Sequence, residues 1–326
     1  MRNKASARRL AQRLYPYSAW IVLLVLVAYG AFGVRNFLSQ MNLSAILYQY
    51  SIIGLLALGQ FLVILTAGID LSQGSVVALT SITAALVMTR YNVWLGIACG
   101  LLLATSMGAI SGLLVSRTSM PPFLVTLGMM GVARGLAMQI ANARPVPVYN
   151  DSFIAFGSSS LLGIPVSTYI WVGVALLCLF FLTRRPLGRY VYAVGSSEEN
   201  CRLSGIKVPS VKLTVYVLSA LLTAVGGVIW TSRLGSGSPV GGVNYELESI
   251  AAVVVGGGSL FGGKGRIDGV MAGVLIFGLI NSILNLSGIS PFWQGMIKGL
   301  IVLLAVALSQ LRTRGGDKEE GEPANA

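Results

Sequence analysis

The residues best suited to chemistry lie where a long apolar stretch is interrupted. The segment Gly68-Ile-Asp-Leu-Ser-Gln-Gly-Ser75 places Asp70, Ser72 and Gln73 between two hydrophobic runs. A carboxylate with a hydroxyl and an amide nearby can bind a polar substrate or stabilise a helix end. Such a break is costly in lipid unless protein or a water-filled cavity surrounds it. One expectation is therefore that these side chains face a translocation path or a seam between subunits.

Helix capping is the simpler role for the same residues. Asp70-Leu-Ser-Gln73 has the spacing of a capping box, with an acid at the N-cap and glutamine three positions later. Gly68 would let the preceding helix end on a left-handed residue. The spacing favours capping, and direct contact between Asp70 and a substrate is the less favoured alternative. The two roles are compatible, because a buried cap at a break still marks a discontinuous helix.

Three further polar residues lie inside apolar runs. Arg134 needs a counter-charge or water within a membrane, and Glu246 or Glu248 is the expected partner. A structural ion pair is favoured for this arginine over a role in the path or the gate. Asn281 and Asn285 are four residues apart and share one helix face. They either line a polar path or hydrogen-bond to a neighbouring helix.

The composition predicts an all-α, polytopic membrane protein. Of the 326 residues, 55% are hydrophobic and 10% are charged, whereas soluble proteins carry about 25% charged residues. Several apolar runs exceed the ~18 residues that cross a bilayer as a helix. Histidine is absent, which excludes a Ser-His-Asp triad, a histidine metal site and a histidine proton relay. Cys99, Cys178 and Cys201 have no metal-site spacing and imply no disulfide framework. No catalytic or metal site is predicted.

The apolar runs predict about ten transmembrane helices, with interrupted or short helices near residues 68–75 and 246–265. The second interruption contains six glycines, but it is not a P-loop, because Lys264 is followed by glycine. A helix over residues 246–261 would reach only about 24 Å, short of the ~30 Å hydrocarbon core. A short crossing and a re-entrant hairpin both stay open. Interrupted segments in both halves are typical of transporters with repeated halves.

Basic residues set the predicted orientation. With the N-terminus in the cytoplasm, most of the 23 lysines and arginines fall in cytoplasmic segments. This bias predicts that both termini are cytoplasmic and accounts for the net charge of +12 without nucleic acid. The predicted organisation is a basic cytoplasmic N-terminus (1–16), a single transmembrane domain (17–311) with a cytoplasmic loop (184–212), and a disordered cytoplasmic tail (312–326).

The cytoplasmic loop contains a second capping signal. Ser196-Ser-Glu-Glu199 has capping-box spacing, and Gly205 is well placed as a stop. Together they predict a two-turn helix over about residues 197–204. A helix this short is not stable alone and needs the membrane domain or a partner to hold it. Both an ordinary ordered loop and a docking helix for a cytoplasmic subunit fit this pattern.

Four motifs, in this order along about residues 40–310, resemble the membrane permease of ribose/xylose/galactose-type ABC sugar importers. One departure is Gln73, where that family usually has a small apolar residue, and Lys264 lies at a variable position. The motifs are Gly68-Ile-Asp-Leu-Ser-Gln-Gly-Ser75; Pro122-Phe-Leu-Val-Thr-Leu-Gly128 with Ala133-Arg134-Gly135; Gly188-Arg-Tyr-Val-Tyr-Ala-Val-Gly195 continuing to Ser204-Gly205-Ile206; and Ile250-Ala-Ala-Val-Val-Val-Gly-Gly-Gly258.

The resemblance implies that this chain is one of two permease subunits in a bacterial inner membrane. The second subunit could be a copy of this chain or a different one. It implies a partner ATPase that binds ATP and magnesium, and a periplasmic sugar-binding protein that delivers a monosaccharide. This chain would then bind no cofactor and perform no chemistry on the sugar. The residues expected to couple to the ATPase are Ser197, Glu198, Glu199, Asn200, Arg202, Leu203, Ser204 and Gly205.

Three alternatives remain at this point. An ABC permease for branched-chain amino acids or nucleosides belongs to the same superfamily. An ion-coupled secondary transporter would take up substrate without partners, and an integral membrane enzyme is disfavoured by scattered acids and missing histidine. The candidate residues for the pathway or gate are Asp70, Ser72, Gln73, Arg134, Asn281 and Asn285.

Overall fold

The structure is a computed structural model that describes residues 17–317, and the described chain is almost entirely helical. This confirms the predicted all-α class. The helices are α1 (Ser18–Gly33), α2 (Gln40–Leu65), α3 (Gln73–Arg90), α4 (Val93–Arg117), α5 (Pro122–Ile140), α6 (Asp151–Ser158), α7 (Val166–Arg184), α8 (Pro186–Ser196), α9 (Glu198–Leu203), α10 (Val208–Leu234), α11 (Tyr245–Val255), α12 (Ile267–Leu286) and α13 (Pro291–Asp317). The strands are β1 (Val146–Pro147), β2 (Ser160–Leu161), β3 (Ile164–Pro165) and β4 (Ser236–Gly237); β1 pairs with β4 and β2 with β3, both antiparallel.

Six of the described helices are long and apolar enough to cross a membrane: α2, α4, α5, α7, α10 and α12. The chain is therefore a multi-pass membrane protein, while ten crossings and the orientation of the termini stay predictions. The predicted basic segment 1–16 lies outside the described residues. Helix α13 ends at Asp317, within the segment predicted as a tail, and residues 318–326 also lie outside the described part.

Helix α2 is the centre of the fold. It is buried without a gap from Tyr50 to Leu65 and packs against α7, α10, α11 and α12. A helix that is hydrophobic on all sides needs neighbours all round it, which explains this position. At Gly59 the backbone of α10 comes so close that an added Cβ would lie 2.9 Å from the Cα of Ser219. The two helices therefore pack closely at Gly59 and Ser219, with little side chain between them.

The first predicted interruption is present. Helix α2 ends at Leu65 and α3 begins at Gln73, and Ala67 between them has a φ of 58°. The predicted capping box is wrong, because Ser72 occupies the N-cap and makes no side-chain cap hydrogen bond. Gln73 points away from its own backbone toward α2 and α10.

The second interruption is also present, between α11 and α12. Helix α11 has 11 residues, so it rises only about 16 Å and cannot cross a ~30 Å core by itself. The chain then continues through residues 256–266, where four glycines have positive φ angles: Gly257, Gly262, Gly263 and Gly265. These backbone conformations are ones that L side chains rarely adopt.

Candidate functional site

A buried polar cluster holds the first interruption in place. Asp70 is 2% exposed, and its Oδ1 accepts hydrogen bonds from the backbone N of Ser72 at 3.0 Å and from the Ser72 hydroxyl at 2.6 Å. Its Oδ2 accepts from the Ser219 hydroxyl of α10 at 3.0 Å. The carboxylate therefore fixes both its own turn and the distance from that turn to a neighbouring helix.

Gln73 extends the cluster to two more helices. Its Nε2 donates to the Leu56 carbonyl of α2 at 3.0 Å and to the Ser219 hydroxyl at 3.1 Å. Its Oε1 accepts from the Ser249 hydroxyl of α11 at 2.7 Å. Because Leu56 and Ser219 lie well inside their helices, the start of α3 is anchored near the middle of the fold.

The backbone of the interruption is paired as well. In the amide orientation that satisfies both partners, Gln60 donates to the carbonyl of Asp70 at 3.0 Å and accepts from its N–H at 3.1 Å. The Thr126 hydroxyl of α5 donates to the carbonyl of Ile69 at 3.0 Å. Satisfied buried polar groups of this kind specify one arrangement of the surrounding helices.

We call Gln60, Asp70, Ser72, Gln73, Ser219 and Ser249 the polar lock. Its members are between 0% and 4% exposed. The predicted residues Asp70, Ser72 and Gln73 are thus brought together, but they face other helices of this chain rather than an open cavity. Sequence reasoning missed Gln60, Ser219 and Ser249. Their only signal was a polar side chain in an apolar helix, which does not identify a partner far along the chain.

Arg134 does not form the predicted ion pair. Its Nη1 donates to the carbonyls of Pro239 at 2.8 Å and Gly241 at 2.9 Å. Both carbonyls belong to the loop between α10 and α11, where irregular backbone leaves acceptors unused by helix hydrogen bonds. The guanidinium carries several donors in a fixed geometry, which suits this double contact. Arg134 therefore fastens the α10–α11 loop to α5.

Neither of the two acids expected as its partners forms an ion pair with Arg134, although Glu246 lies close enough to attract its charge. Glu248 pairs with Lys298 of α13, with Nζ 2.7 Å from Oε1. Glu246 lies against the first turn of α3, where a Cβ added to Gly74 would overlap its Oε2. A carboxylate at a helix N-terminus is favoured by the helix dipole. Glu246 therefore contributes to the placement of the same helix start that the polar lock anchors.

The two predicted asparagines do not form one polar stripe. Asn281 is 7% exposed, whereas Asn285 is exposed and its Oδ1 accepts from Gln294 Nε2 at 2.8 Å. The latter contact joins the end of α12 to the start of α13. For Asn285 the structure therefore favours the packing interpretation over a shared path.

The loop over residues 184–212 folds into two helices rather than one. The predicted short helix is present as α9, capped by Ser197, which accepts from the Asn200 N–H at 3.2 Å. Gly205 has a φ of 78° and ends it, with Ile206 N–H donating to the Cys201 carbonyl at 2.9 Å. Helix α8 was missed, because its apolar face is interrupted by glycine and tyrosine in a segment that reads as polar and basic.

Helix α9 presents an exposed face. Leu203 is 81% exposed, and Glu199, Asn200, Arg202, Ser204 and Gly205 are exposed as well. Glu198 is held by ion pairs with Lys212 and with Arg202, the latter at 3.5 Å. Beside α9 lies a cavity of about 310 Å³ lined in part by Glu198, Arg202, Lys212 and the α4–α5 connection. This face of α9 is therefore accessible to another protein.

Helix α8 rests on the end of α2 and on the second interruption. Gly263 N–H donates to the Leu65 carbonyl at 3.0 Å. A Cβ added to Gly195 would overlap that carbonyl oxygen and lie 2.5 Å from Gly263 N, and one on Gly262 would lie 2.7 Å from Gly195 O. We call Leu65, Gly195, Gly262 and Gly263 the glycine junction. Here three backbone segments touch with no side chain between them.

One side chain adds to the glycine junction. The hydroxyl of Tyr192 on α8 donates to the Gly265 carbonyl at 3.2 Å. Burial raises the pKa of Tyr192, so the phenol keeps the proton that this contact needs. The segment that carries α9 is thus attached directly to the glycine-rich interruption.

Comparison with known proteins finds relatives along nearly the whole chain. The family model described as branched-chain amino acid transport system / permease component matches residues 42–306. The ribose import permease protein RbsC of Haemophilus influenzae is 41% identical over 311 residues, covering 94% of this chain and 96% of that protein. RbsC of Bacillus subtilis is 41% identical over 305 residues, covering 93% of this chain and 94% of the relative.

A permease named for another sugar is nearly as similar. The D-allose transport system permease protein AlsC of Escherichia coli is 37% identical over 298 residues, covering 90% of this chain and 91% of the relative. No solved structure matches the chain. The matched region contains the polar lock, the glycine junction and α9.

Proposed function

Because this chain belongs to the branched-chain amino acid transport system / permease component family, we propose that it is the membrane permease of an ATP-driven monosaccharide importer. The chain is a transport permease and not an enzyme, in keeping with relatives named as import permeases over more than 90% of its length. Transport of a monosaccharide is part of the proposal, and the similar relatives do not fix which one, because they are named for both ribose and D-allose.

The observation that carries the proposal is the exposed face of α9 and its attachment to the membrane helices. Helix α9 is capped at both ends and presents Leu203 to solvent. Helix α8 rests on the end of α2 and on the glycine-rich interruption through the glycine junction. A partner ATPase that bound α9 and moved with ATP would thereby act on both interrupted segments.

The remaining parts of the proposal extend beyond this arrangement. The ATPase binds ATP and magnesium and contacts residues 197–205, while a sugar-binding protein delivers the monosaccharide at the opposite face. A second permease subunit, identical or different, completes the pathway. The chain crosses the bacterial inner membrane about ten times, with both termini in the cytoplasm, in keeping with the bias of its basic residues.

Reconstitution tests the proposal directly. The chain is placed in liposomes with and without its co-purified ATPase and binding protein, and uptake of radiolabelled D-ribose and D-allose is measured with internal and external ATP controls. We expect uptake only when ATP, ATPase and binding protein are all present. Uptake by the chain alone, driven by a proton or sodium gradient, would show a secondary transporter instead.

Two variants locate the docking contact. Leu203→Asp places a charge on the exposed apolar residue of α9, and we expect it to release the ATPase from the purified complex. Leu161→Asp is the matched control, since this leucine is also exposed but lies on β2, far from α9 along the chain. Equal ATPase retention by Leu203→Asp and wild type would overturn the docking assignment. L-leucine uptake, measured in parallel, distinguishes the amino acid alternative.

A further inference from the structure

A second cavity lies away from both the polar lock and α9. Its volume is about 300 Å³, and it lies between the N-terminal half of α2, the C-terminal end of α10 and the start of α11. This volume is at the lower end of the ~300–1,000 Å³ range of small-molecule sites. The lining residues are Gln49, Ile52, Trp230, Arg233, Leu234 and Tyr245. We call it the aromatic cavity.

The lining of the aromatic cavity combines flat apolar surface with a few polar groups. Trp230 and Tyr245 supply large rings that each carry a hydrogen-bonding group at one edge. Gln49 adds an amide that can donate and accept, and Arg233 adds donors in a fixed plane. A sugar ring has the matching surface, since its C–H groups pack on an aromatic face while its hydroxyls both donate and accept.

The charges around the aromatic cavity favour a neutral ligand. The guanidinium of Arg233 lies over the ring of Tyr48, 4.9 Å from its centroid, so part of its positive charge is already engaged. The Glu248 carboxylate near Tyr245 is paired with Lys298 Nζ at 2.7 Å, so it adds little free charge to this region. A polyhydroxylated neutral molecule therefore fits better than a carboxylate or a phosphate.

The position of the aromatic cavity also fits substrate entry. Gln49 precedes the end of α2 at Leu65 by 16 residues, which is about 24 Å along the helix. The glycine junction and α9 lie at that other end. The aromatic cavity is thus on the face opposite the proposed ATPase.

We propose that the aromatic cavity is a receiving site for a neutral monosaccharide, in which Trp230 and Tyr245 stack on the sugar ring and Gln49 and Arg233 bind its hydroxyls. The inference rests on the proposed function and adds to it a substrate site in this chain. A sugar released at the outer face would bind here before it moves further into the membrane domain.

Binding is tested on the full chain in lipid nanodiscs. Saturation-transfer NMR with D-ribose and with D-allose measures transfer from protein to sugar protons. We expect transfer in wild type and a loss of about tenfold in Trp230→Ala and in Gln49→Leu, since each removes interactions worth roughly one power of ten. Trp94→Ala is the matched control, because Trp94 is 80% exposed on α4 and lies outside the aromatic cavity. Trp230→Phe keeps an aromatic face and should retain most of the signal.

Absence of transfer in wild type for both sugars, or undiminished transfer in Trp230→Ala and Gln49→Leu, would overturn the assignment. Gln49→Leu preserves side-chain volume closely, so it remains informative if the tryptophan variant does not fold. Melting temperatures within a few degrees of wild type confirm that a loss of transfer reflects binding.

Transport in the reconstituted complex separates this inference from the proposed function. We expect Gln49→Leu to lower ATP-dependent sugar uptake about tenfold while ATPase association is unchanged. If wild-type uptake needs ATP and partners but the cavity variants transport normally, the receiving site is wrong and the proposed function stands. If wild type binds sugar in nanodiscs yet takes it up without ATP, the receiving site stands and the importer proposal fails.

Discussion

The two interruptions of the membrane helices are stabilised in opposite ways. Between α2 and α3 the backbone is held by side chains, with Asp70 and Gln73 joined to three neighbouring helices at the polar lock. Between α11 and α12 it is held mainly by its own backbone, for example through the Ser259 N–H, which donates to the Lys264 carbonyl at 3.0 Å. The first interruption is buried near the middle of the fold, and the second touches α8 near the proposed docking segment.

The difference teaches which part of the molecule is fixed and which part is suited to movement. A satisfied side-chain network has one low-energy arrangement, because any shift leaves a buried polar group unpaired. The glycine junction contains one backbone and one side-chain hydrogen bond and no buried carboxylate, so its separation costs less free energy. We therefore interpret the polar lock as the fixed point, and the glycine junction as the contact through which α8 and the second interruption move together.

The largest effect is expected from a variant that disrupts the interruption between α2 and α3, which side chains hold in place. Asp70→Leu leaves three donors without their buried acceptor, two from Ser72 and one from Ser219. We expect a loss of about 3–5 kcal/mol in the free energy of unfolding, from about 1–3 kcal/mol for each unpaired group with partial relaxation. Thermal unfolding in detergent, followed by circular dichroism, measures it. Asp70→Asn keeps an acceptor oxygen and should lose less; equal losses in both variants would contradict the network.

The next effect tests the backbone-held interruption. Gly195→Ala forces a methyl group against the Leu65 carbonyl and Gly263 N, and we expect a loss of about 1–3 kcal/mol, the usual range for overpacking. Sugar uptake by the complex should fall as the contact with α8 is distorted. Gly128→Ala is the control, because an added Cβ there meets nothing within 4 Å. If Gly195→Ala changed neither the free energy of unfolding nor sugar uptake, α8 would not pack tightly against the end of α2.

A smaller effect is expected at Gln73, and it measures how much this side chain contributes to the polar lock. Gln73→Val replaces the amide with a small apolar side chain and removes three hydrogen bonds. We expect a loss of only about 1–2 kcal/mol, because Ser249 can donate to the Glu246 carbonyl instead and Ser219 still donates to Asp70. Chemical denaturation of the purified chain gives the value. A loss as large as that of Asp70→Leu would make Gln73, rather than the carboxylate, the centre of the network.

The smallest effect concerns the single side-chain hydrogen bond at the glycine junction. Tyr192→Phe removes the donor to the Gly265 carbonyl, and we expect a loss of about 0.5–1 kcal/mol in unfolding free energy. Tyr169→Phe removes a comparable exposed contact to the Leu161 carbonyl and serves as the control. A loss in Tyr192→Phe close to that of Asp70→Leu would remove the distinction between the two interruptions.

Local signals in the sequence predicted the features that depend on neighbouring residues. The interruption at Asp70, the glycine-rich interruption and α9 all follow from caps, glycines and apolar runs within a few residues. Helix α8 escaped prediction although Gly188, Val191 and Val194 are buried on one face, because this short pattern lies among polar and basic residues. Local patterns predict an element when its stabilising contacts lie within it.

Contacts between residues that are far apart in the sequence could not be predicted from local patterns. Arg134 binds the carbonyls of Pro239 and Gly241, and backbone acceptors leave no mark on the sequence. The partners of Gln73 at Ser219 and Ser249 are common small polar residues. The prediction of an ion pair failed because it considered only acidic side chains as partners for a buried cation.

The polar lock has a consequence for the biogenesis of the protein. Asp70 and Ser219 are 149 residues apart, and Gln73 and Ser249 are 176 residues apart. During synthesis α2 and α3 therefore emerge long before the hydroxyls that pair with their polar residues. A nascent chain stalled before Ser219 should be cleaved readily by membrane proteases near Asp70, and one extended past Ser249 should resist. The same carboxylate that fixes the finished fold would thus mark an unfinished chain for degradation.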